Sequence, residues 1–409
     1  MAASNRNPPV QPLFRSLLPV LAIVYCVLAL CDVVNAQQTI LRRLDGSAIS
    51  PQNIDAIVMS EMRSAHVEGT GIALFNEGKI AYLKAYGFRD KATQSPLTPD
   101  SVMTAASLTK AAFATMVMQL VEKRIIDLDQ PVWQYLPKPL PEYPNYTDLA
   151  NEPRYRLITM RMLLDHSSGF PNWRRFTDDK KLSVFFAPGS RFAYSGEGIA
   201  LAQMVVEAVT KKSVNVLMQE YVFKPVGMRR TSMVWDERFE KNYANGYDDQ
   251  GKSLGPERRT KADAAGGMQT TLRDEARFAL AVLNGTIPDA KVWKTMLSPQ
   301  IRILEKTEFP SLTTETTTAN DAIRLSYGLG WGLFFTPYGE AFFKEGHDLG
   351  WRHYVVGFTG PRSGMLIMTN SDNGEDMYSS LLEKLAGDTF TPLEWEGFKA
   401  PAISDLSAP

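Results

Sequence analysis

Apolar and polar positions along the chain fall into periodic stretches that predict most of its elements. In QNIDAIVMSEMRSAH (52–66), Ile54, Ile57, Val58 and Met62 recur at helical spacing, which predicts an amphipathic helix. The next stretch, TGIALFNEGKIAYLKAYGFRD, holds two β-rich runs around Asn76-Glu77-Gly78-Lys79 and predicts a hairpin. From about Ser107 to Lys123 the chain is apolar nearly all round. With Ala111, Ala112 and Ala114 allowing neighbours to approach, it predicts a buried helix. ITMRMLLDHSSG (158–169) predicts a helix stopped by Gly169, and GIALAQMVVEAVTKK (198–212) another that ends in lysines. Between them, PKPLPEYPNYTDLANEPRYR (137–156) is rich in Pro and Asn and reads as an irregular surface excursion.

Strand character returns late, in YGLGWGLFF (327–335), WRHYVVGFTG (351–360) and GMLIMTNS (364–371), and a last helix is expected over about 376–387. Consecutive strands joined by short turns imply an antiparallel sheet with helices packed on it. The fold class is therefore α+β: a sheet subdomain from 37–106 and 246–390, and a mostly helical subdomain over 107–245. No fixed-period repeat or flexible linker divides the chain, so the two are expected to interlock. Residues 391–409 lack periodicity and predict a loose or wrapping tail.

The first 36 residues have a different pattern. Arg6 and Arg15 precede an apolar run of fourteen, LLPVLAIVYCVLAL (17–30), and VNA ends at Ala36. That layout predicts a secretory signal peptide cleaved after Ala36 and an exported, periplasmic or secreted protein. Fourteen residues fall short of the roughly 20 that span a bilayer, so a membrane link would come only through an uncleaved N-terminus or lipidated Cys31. Cys26 and Cys31, the chain's two cysteines, leave with this segment, and no disulfide or thiol chemistry is expected in the mature protein. The formal charge of −1 gives no electrostatic case for nucleic acid as a partner. The four histidines (66, 166, 347, 353) show no metal-binding spacing, so neither metal nor cofactor is expected.

Candidate chemistry begins at AASLTKAAFA (105–114). Ser107 is the only serine in the chain followed by a lysine three residues on, and on a helix that spacing puts both side chains on one face. A serine hydroxyl needs a base beside it to become a nucleophile. Burial disfavours a lysine's charged form and lowers its pKa, so Lys110 is suited to that task. A serine in the first turn also faces the unpaired N–H groups of the helix start. FAYSGEG (192–198) places Tyr194 just before a helix, where a nearby lysine would favour the phenolate and allow proton transfer. EGHDLGW (345–351) places His347 between two strands as a donor beside a cleft.

Together these segments resemble the serine β-lactamase-related hydrolases: class C β-lactamases, penicillin-binding D,D-peptidases and family VIII carboxylesterases. SLTK is similar to the nucleophile motif, YSG to the Tyr-x-Asn position and GHDLG to the Lys-Thr-Gly or His-x-Gly position. GIALFNEGKIAYLKAYGFRD, LLDHSSGFPNW, AAGGMQTTLRDEARF and YGLGWGL match in order, over roughly 50 to 388. The resemblance implies acylation of Ser107, with Lys110 and Tyr194 sharing the base role and His347 on the strand walling the cleft. It implies an oxyanion hole from the backbone N–H groups of Ser107 and Gly350. Gly196 stands where the β-lactamases have Asn, and Leu349 and Asp348 depart from the Lys-Thr-Gly position. No fixed cation for a substrate carboxylate is evident unless Arg352 supplies it. These departures point to a small ester or amide substrate. True β-lactamase or D-alanyl-D-alanine carboxypeptidase activity is the alternative, and a non-catalytic penicillin-binding-like sensor is the rival outside enzymes.

Other features read as structural. GKSLG (251–255) fits a nucleophile elbow but lacks the flanking strand and helix, so Ser253 is expected in a loop. His166 is expected to fix a turn, and Trp173, Trp331 and Trp351 to wall the pocket or fill the core. NYT (145–147) and NGT (284–286) fit the glycosylation pattern.

Overall fold

Nine strands form one antiparallel sheet: β1 (Gly69–Asn76), β2 (Lys79–Asp90), β3 (Ser95–Pro96), β4 (Ile301–Arg302), β5 (Ser326–Tyr327), β6 (Gly332–Thr336), β7 (Gly339–Asp348), β8 (Trp351–Phe358) and β9 (Ser363–Thr369). Their order across the sheet is β4-β5-β6-β7-β8-β9-β1-β2-β3. The computed structural model describes residues 1–3 and 40–398. Almost all of the leader expected over 1–36, with Cys26 and Cys31, lies outside the described residues, as does the chain beyond 398. Among the described residues no helix is long and apolar enough to cross a membrane.

Side chains alternate across the sheet as a period of two requires. Ala73, Phe75, Val355, Leu366 and Met368 join one core with α2 (Leu108–Glu122) and α5 (Leu272–Leu283). Ile72, Leu74, Tyr354, Val356 and Ile367 join the other with α1 (Pro51–Ser64) and the helical segment near the C-terminus. Both faces are therefore covered, and the interior strand β1 is buried along seven of its eight residues. The β1–β2 hairpin turns on Glu77 and Gly78, both at positive φ, the backbone that a two-residue turn needs to match strand twist.

The expected helices are present with shifted ends. Ser50 caps α1 through the N–H of Asn53. The segment expected over 158–169 is helical only in α3 (Met160–Leu164), because His166 takes a left-handed conformation and turns the chain. α4 spans Gly196–Thr210, with the Ser195 side chain accepting from Gly198 N. The 137–156 excursion folds into short 3-10 turns that bury Leu140, Tyr146, Leu149 and Tyr155, so it is anchored to the core. The tail, up to Phe398, wraps: Trp395 Nε1 donates to Glu305 O at 3.1 Å, and Glu308 N donates to Trp395 O at 2.9 Å.

One local feature positions the site. β6 pairs with β7 only as far as Gly332–Phe343, so Lys344–Asp348 has a free edge. A Cβ on Gly346 would lie 2.9 Å from Ala105 O and 3.1 Å from Leu108 Cγ. Glycine at 346 thus lets this edge close on the start of α2.

Candidate active site

Ser107 stands at the residue just before α2, and Ala106 before it has φ 49°, a left-handed conformation that costs a non-glycine residue about 1 kcal/mol or more. The turn leaves Ser107 half-buried at the floor of a cleft of about 920 Å³. One turn on, Lys110 is 2 % exposed, and its Nζ donates to Ser107 Oγ at 2.9 Å and to Ala265 O at 2.5 Å. Burial, with Lys344 nearby as the second cause, lowers the Lys110 pKa from 10.5 to about 7. A large fraction of Lys110 is therefore a neutral amine at neutral pH, within contact of the hydroxyl it would deprotonate.

Tyr194 precedes α4 with its ring 5.0 Å from Lys110 Nζ. His166 holds this turn: its Nδ1 accepts from Ser195 N at 3.2 Å, and its ring lies 4.4 Å from that of Tyr194. The phenolate expected at Tyr194 does not follow from these surroundings. Burial foremost, then the charge of Glu345, raises the phenol well above its ordinary value, and Ser107 only partly opposes this. Tyr194 is thus a protonated phenol, able to pass a proton but poorly placed to remove one first.

The cation missing from the sequence reading is Lys344. It is fully buried on β7 and donates to Tyr194 OH at 3.1 Å, while its ammonium pairs with the Glu345 carboxylate. Lys344-Glu345-Gly346 therefore takes the place assigned to His347-Asp348-Leu349, three residues upstream and with Glu in the middle position. Arg352 is not available for that role, since it pairs with Asp372 at 2.8 Å and Glu375 at 3.0 Å. The available signal was a lysine directly after Phe342-Phe343 in a strand and two residues before a glycine.

The shift of register also corrects the oxyanion hole. Gly350 N donates to Asp372 Oδ1 at 2.8 Å, and its Cα abuts Gly246, so it does not serve as the second donor. Thr359 N donates to Glu340 O in the same ladder. By alternation, Lys344–Val355, Gly346–His353 and Asp348–Trp351 are mutually bonded pairs. Glu345 and His347 must then turn their N–H and C=O groups to the free edge. The backbone N–H of His347 faces the cleft with that of Ser107, which has no acceptor of its own. His347 also lines the cleft with an exposed side chain, its Nδ1 3.6 Å from Glu375.

Gly196 has a steric explanation. A Cβ there would lie 2.5 Å from the Trp173 ring, and Gly196 N is already bound to Asn172 Oδ1 at 3.1 Å. Trp173 fills the space that an asparagine side chain would need, and it forms part of the cleft wall. Gly196 itself is not among the residues that line the cleft. Trp331 and Trp351 are core residues, and Ser253 is an exposed residue of a short edge pair away from the cleft. Leu349, 66 % exposed at the β7–β8 turn, stands at the cleft mouth, and Asp348 is held by Arg259 at 2.6 Å.

Two further acids enter from segments that carry no motif. Glu308, from the 305–322 excursion, and Glu396, from the tail, line the cleft beside Glu345. Among the described residues these three form the one group of acids close enough to share a cation, with an oxygen from each within 4.8 Å of the others.

A buried Ser–Lys–Tyr arrangement at the junction of an antiparallel sheet and a helical region defines the serine β-lactamase-related superfamily. The chain belongs to the Beta-lactamase family, whose model matches residues 54–386. It is similar to protein flp of Staphylococcus aureus, 25% identical over 219 residues, or 50% of this chain and 42% of the relative. It is also similar to a D-aminopeptidase of Brucella anthropi, 26% identical over 178 residues, or 42% of this chain and 34% of the relative. These matches span less than half of each relative's length. Among solved structures, the octameric penicillin-binding protein homologue from Pyrococcus abyssi shares the fold: TM-score 0.66, 21% identity, covering 85% of this chain and 79% of that one.

Proposed function

We propose that this protein is an exported serine hydrolase that cleaves a small ester or amide through an acyl-enzyme on Ser107. The observation that carries the reading is the buried Lys110 amine 2.9 Å from the Ser107 hydroxyl. Neutral Lys110 takes the hydroxyl proton as Ser107 Oγ attacks the substrate carbonyl. The developing oxyanion is met by the N–H groups of Ser107 and His347, each such donor contributing about 3–4 kcal/mol to the transition state. Tyr194 gives its proton to the departing alcohol or amine and is resupplied through Lys110 or Lys344. Water then attacks the acyl-enzyme, with Lys110 again as base, and releases the acid.

An amide is supported by the D-aminopeptidase among the relatives. Efficient β-lactam turnover is disfavoured by Glu345, which neutralises the lysine that would otherwise meet a substrate carboxylate, and by Trp173, which takes the place of an asparagine amide. The chemistry requires no metal or cofactor, and its partner is a small molecule. Export rests on the leader pattern of residues 1–36.

Comparing p-nitrophenyl acetate with nitrocefin tests the substrate class. The ester is expected to turn over faster, Ser107→Ala to fall to background, and Ser253→Ala to match the wild type. Faster nitrocefin turnover would replace this reading with β-lactamase activity, and an active Ser107→Ala protein would remove Ser107 as the nucleophile.

A further inference from the structure

At the three-acid corner of the cleft, Glu308 and Glu396 have no use in the reaction described above. Glu308, Glu345 and Glu396 are each no more than 6 % exposed, yet all three line the cleft that holds Ser107. Their partners do not match their charges. Lys344 is engaged by Glu345 and Tyr194, and Lys110 by Ser107 and Ala265. Glu396 Oε2 accepts from Tyr354 OH at 2.6 Å, but Glu396 Oε1 and Glu308 Oε2 are buried without any partner. A third polar group lies within electrostatic reach of the same acids on a different strand. The Tyr327 hydroxyl on β5 is buried without a partner, and the charges acting on it are those of Glu345, Glu308 and Glu396.

Unpaired buried carboxylate oxygens are costly, because burial removes water and supplies nothing in return. We infer that this corner is a specificity pocket for a cationic group of the substrate, a primary ammonium held by Glu308 and Glu396 beside the Ser107 nucleophile. The inference rests on the hydrolase reading and deepens it: the ester or amide would be that of an amino acid or another amine-bearing acid. An ammonium brings three N–H donors, and the unpaired oxygens of Glu308 and Glu396 supply two acceptors, with Glu345 as a third carboxylate at the same corner. Phe309 and Phe398 also line the cleft and give its carbon stem an apolar wall. Burial first, and then the charge of Glu345, pushes the Glu308 and Glu396 carboxyls well above their ordinary range, the direction that a nearby ammonium would oppose.

Binding measured on full-length Ser107→Ala protein tests this without requiring turnover. Calorimetric titration with alaninamide and with N-acetylalaninamide, each as both enantiomers, separates the amine from the rest of the ligand. Alaninamide of one hand is expected to bind about ten- to a hundredfold more tightly, the effect of a charge-assisted hydrogen bond. Adding Glu308→Gln or Glu396→Gln should bring the two affinities together, with circular dichroism verifying that each variant is folded. Equal binding of the two ligands, or a preference that survives both substitutions, overturns the proposal. So does tight stoichiometric binding of Mg²⁺, Ca²⁺ or Zn²⁺ that the same substitutions abolish, because the corner would then be a metal site. If a fluorophosphonate fails to label wild-type Ser107 while the amine preference holds, the hydrolase reading fails and the pocket stands.

Discussion

Replacing Lys110 with methionine is expected to lower kcat/KM by about 10³-fold or more while leaving the protein folded and more stable below neutral pH. The activity loss follows from removing the amine that contacts Ser107 Oγ. Tyr194, held as a phenol by burial and by Glu345, is too weak a base to replace it. The stability gain follows from linkage. Lys110 has a folded pKa of about 7 against 10.5 for the ordinary amine, so the unfolded chain binds more protons between those values. Its burial therefore opposes folding fully below pH 7, and the penalty is relieved as pH rises from about 7 towards 10.5. Methionine has similar length and no charge, and removes that penalty. Wild-type kcat/KM should accordingly rise with pH through about 7 as the amine loses its proton. Near-wild-type activity in Lys110→Met, or a profile flat across that range, would show that Lys110 is a packed neighbour rather than the base.

The second large effect is expected at Lys344. Lys344→Met leaves Glu345 buried without its counter-charge, in a corner that already holds Glu308 and Glu396. Removing one partner of a buried ion pair costs about 3–5 kcal/mol, and urea unfolding at pH 7 should show a loss of that order. Adding Glu345→Gln to Lys344→Met should recover much of it, because the second substitution removes the stranded charge. Activity should fall as well, since Tyr194 loses the donor at 3.1 Å that orients its hydroxyl. An unfolding midpoint unchanged in the single variant would mean that Lys344 and Glu345 do not form the buried pair described here.

The parts of the site legible in the sequence are those joined by short-range rules. Ser107 and Lys110 share a helix face because they are three apart, and an apolar helix buries the lysine whatever surrounds it. Tyr194 was legible as a residue in a turn ahead of α4. The α1 helix and the β1–β2 hairpin were likewise visible from periodicity and from Asn-Glu-Gly-Lys. What stayed hidden depends on strand register and on long-range pairing. A strand places alternate residues oppositely, so a motif displaced by three residues changes both the residues and the face. That displacement is why the positions first read at His347 and Gly350 fall, in the strand's register, at Lys344 and at the His347 backbone. Gly196 looked like a lost asparagine because Trp173, which fills the space, is 23 residues away in the chain. Glu308 and Glu396 sit in stretches without periodicity, and only the pairing of the excursion with the tail around Trp395 brings them to the nucleophile.

The account's central claim is that Ser107 is the activated nucleophile. Intact-mass measurement after treatment with a fluorophosphonate, followed by mapping of the modified residue, tests it most directly. One adduct per chain on Ser107 is expected, formed faster as pH rises through about 7 and absent in Ser107→Ala and Lys110→Met. No adduct on the folded protein, or an adduct on Ser253 or another serine, would contradict it.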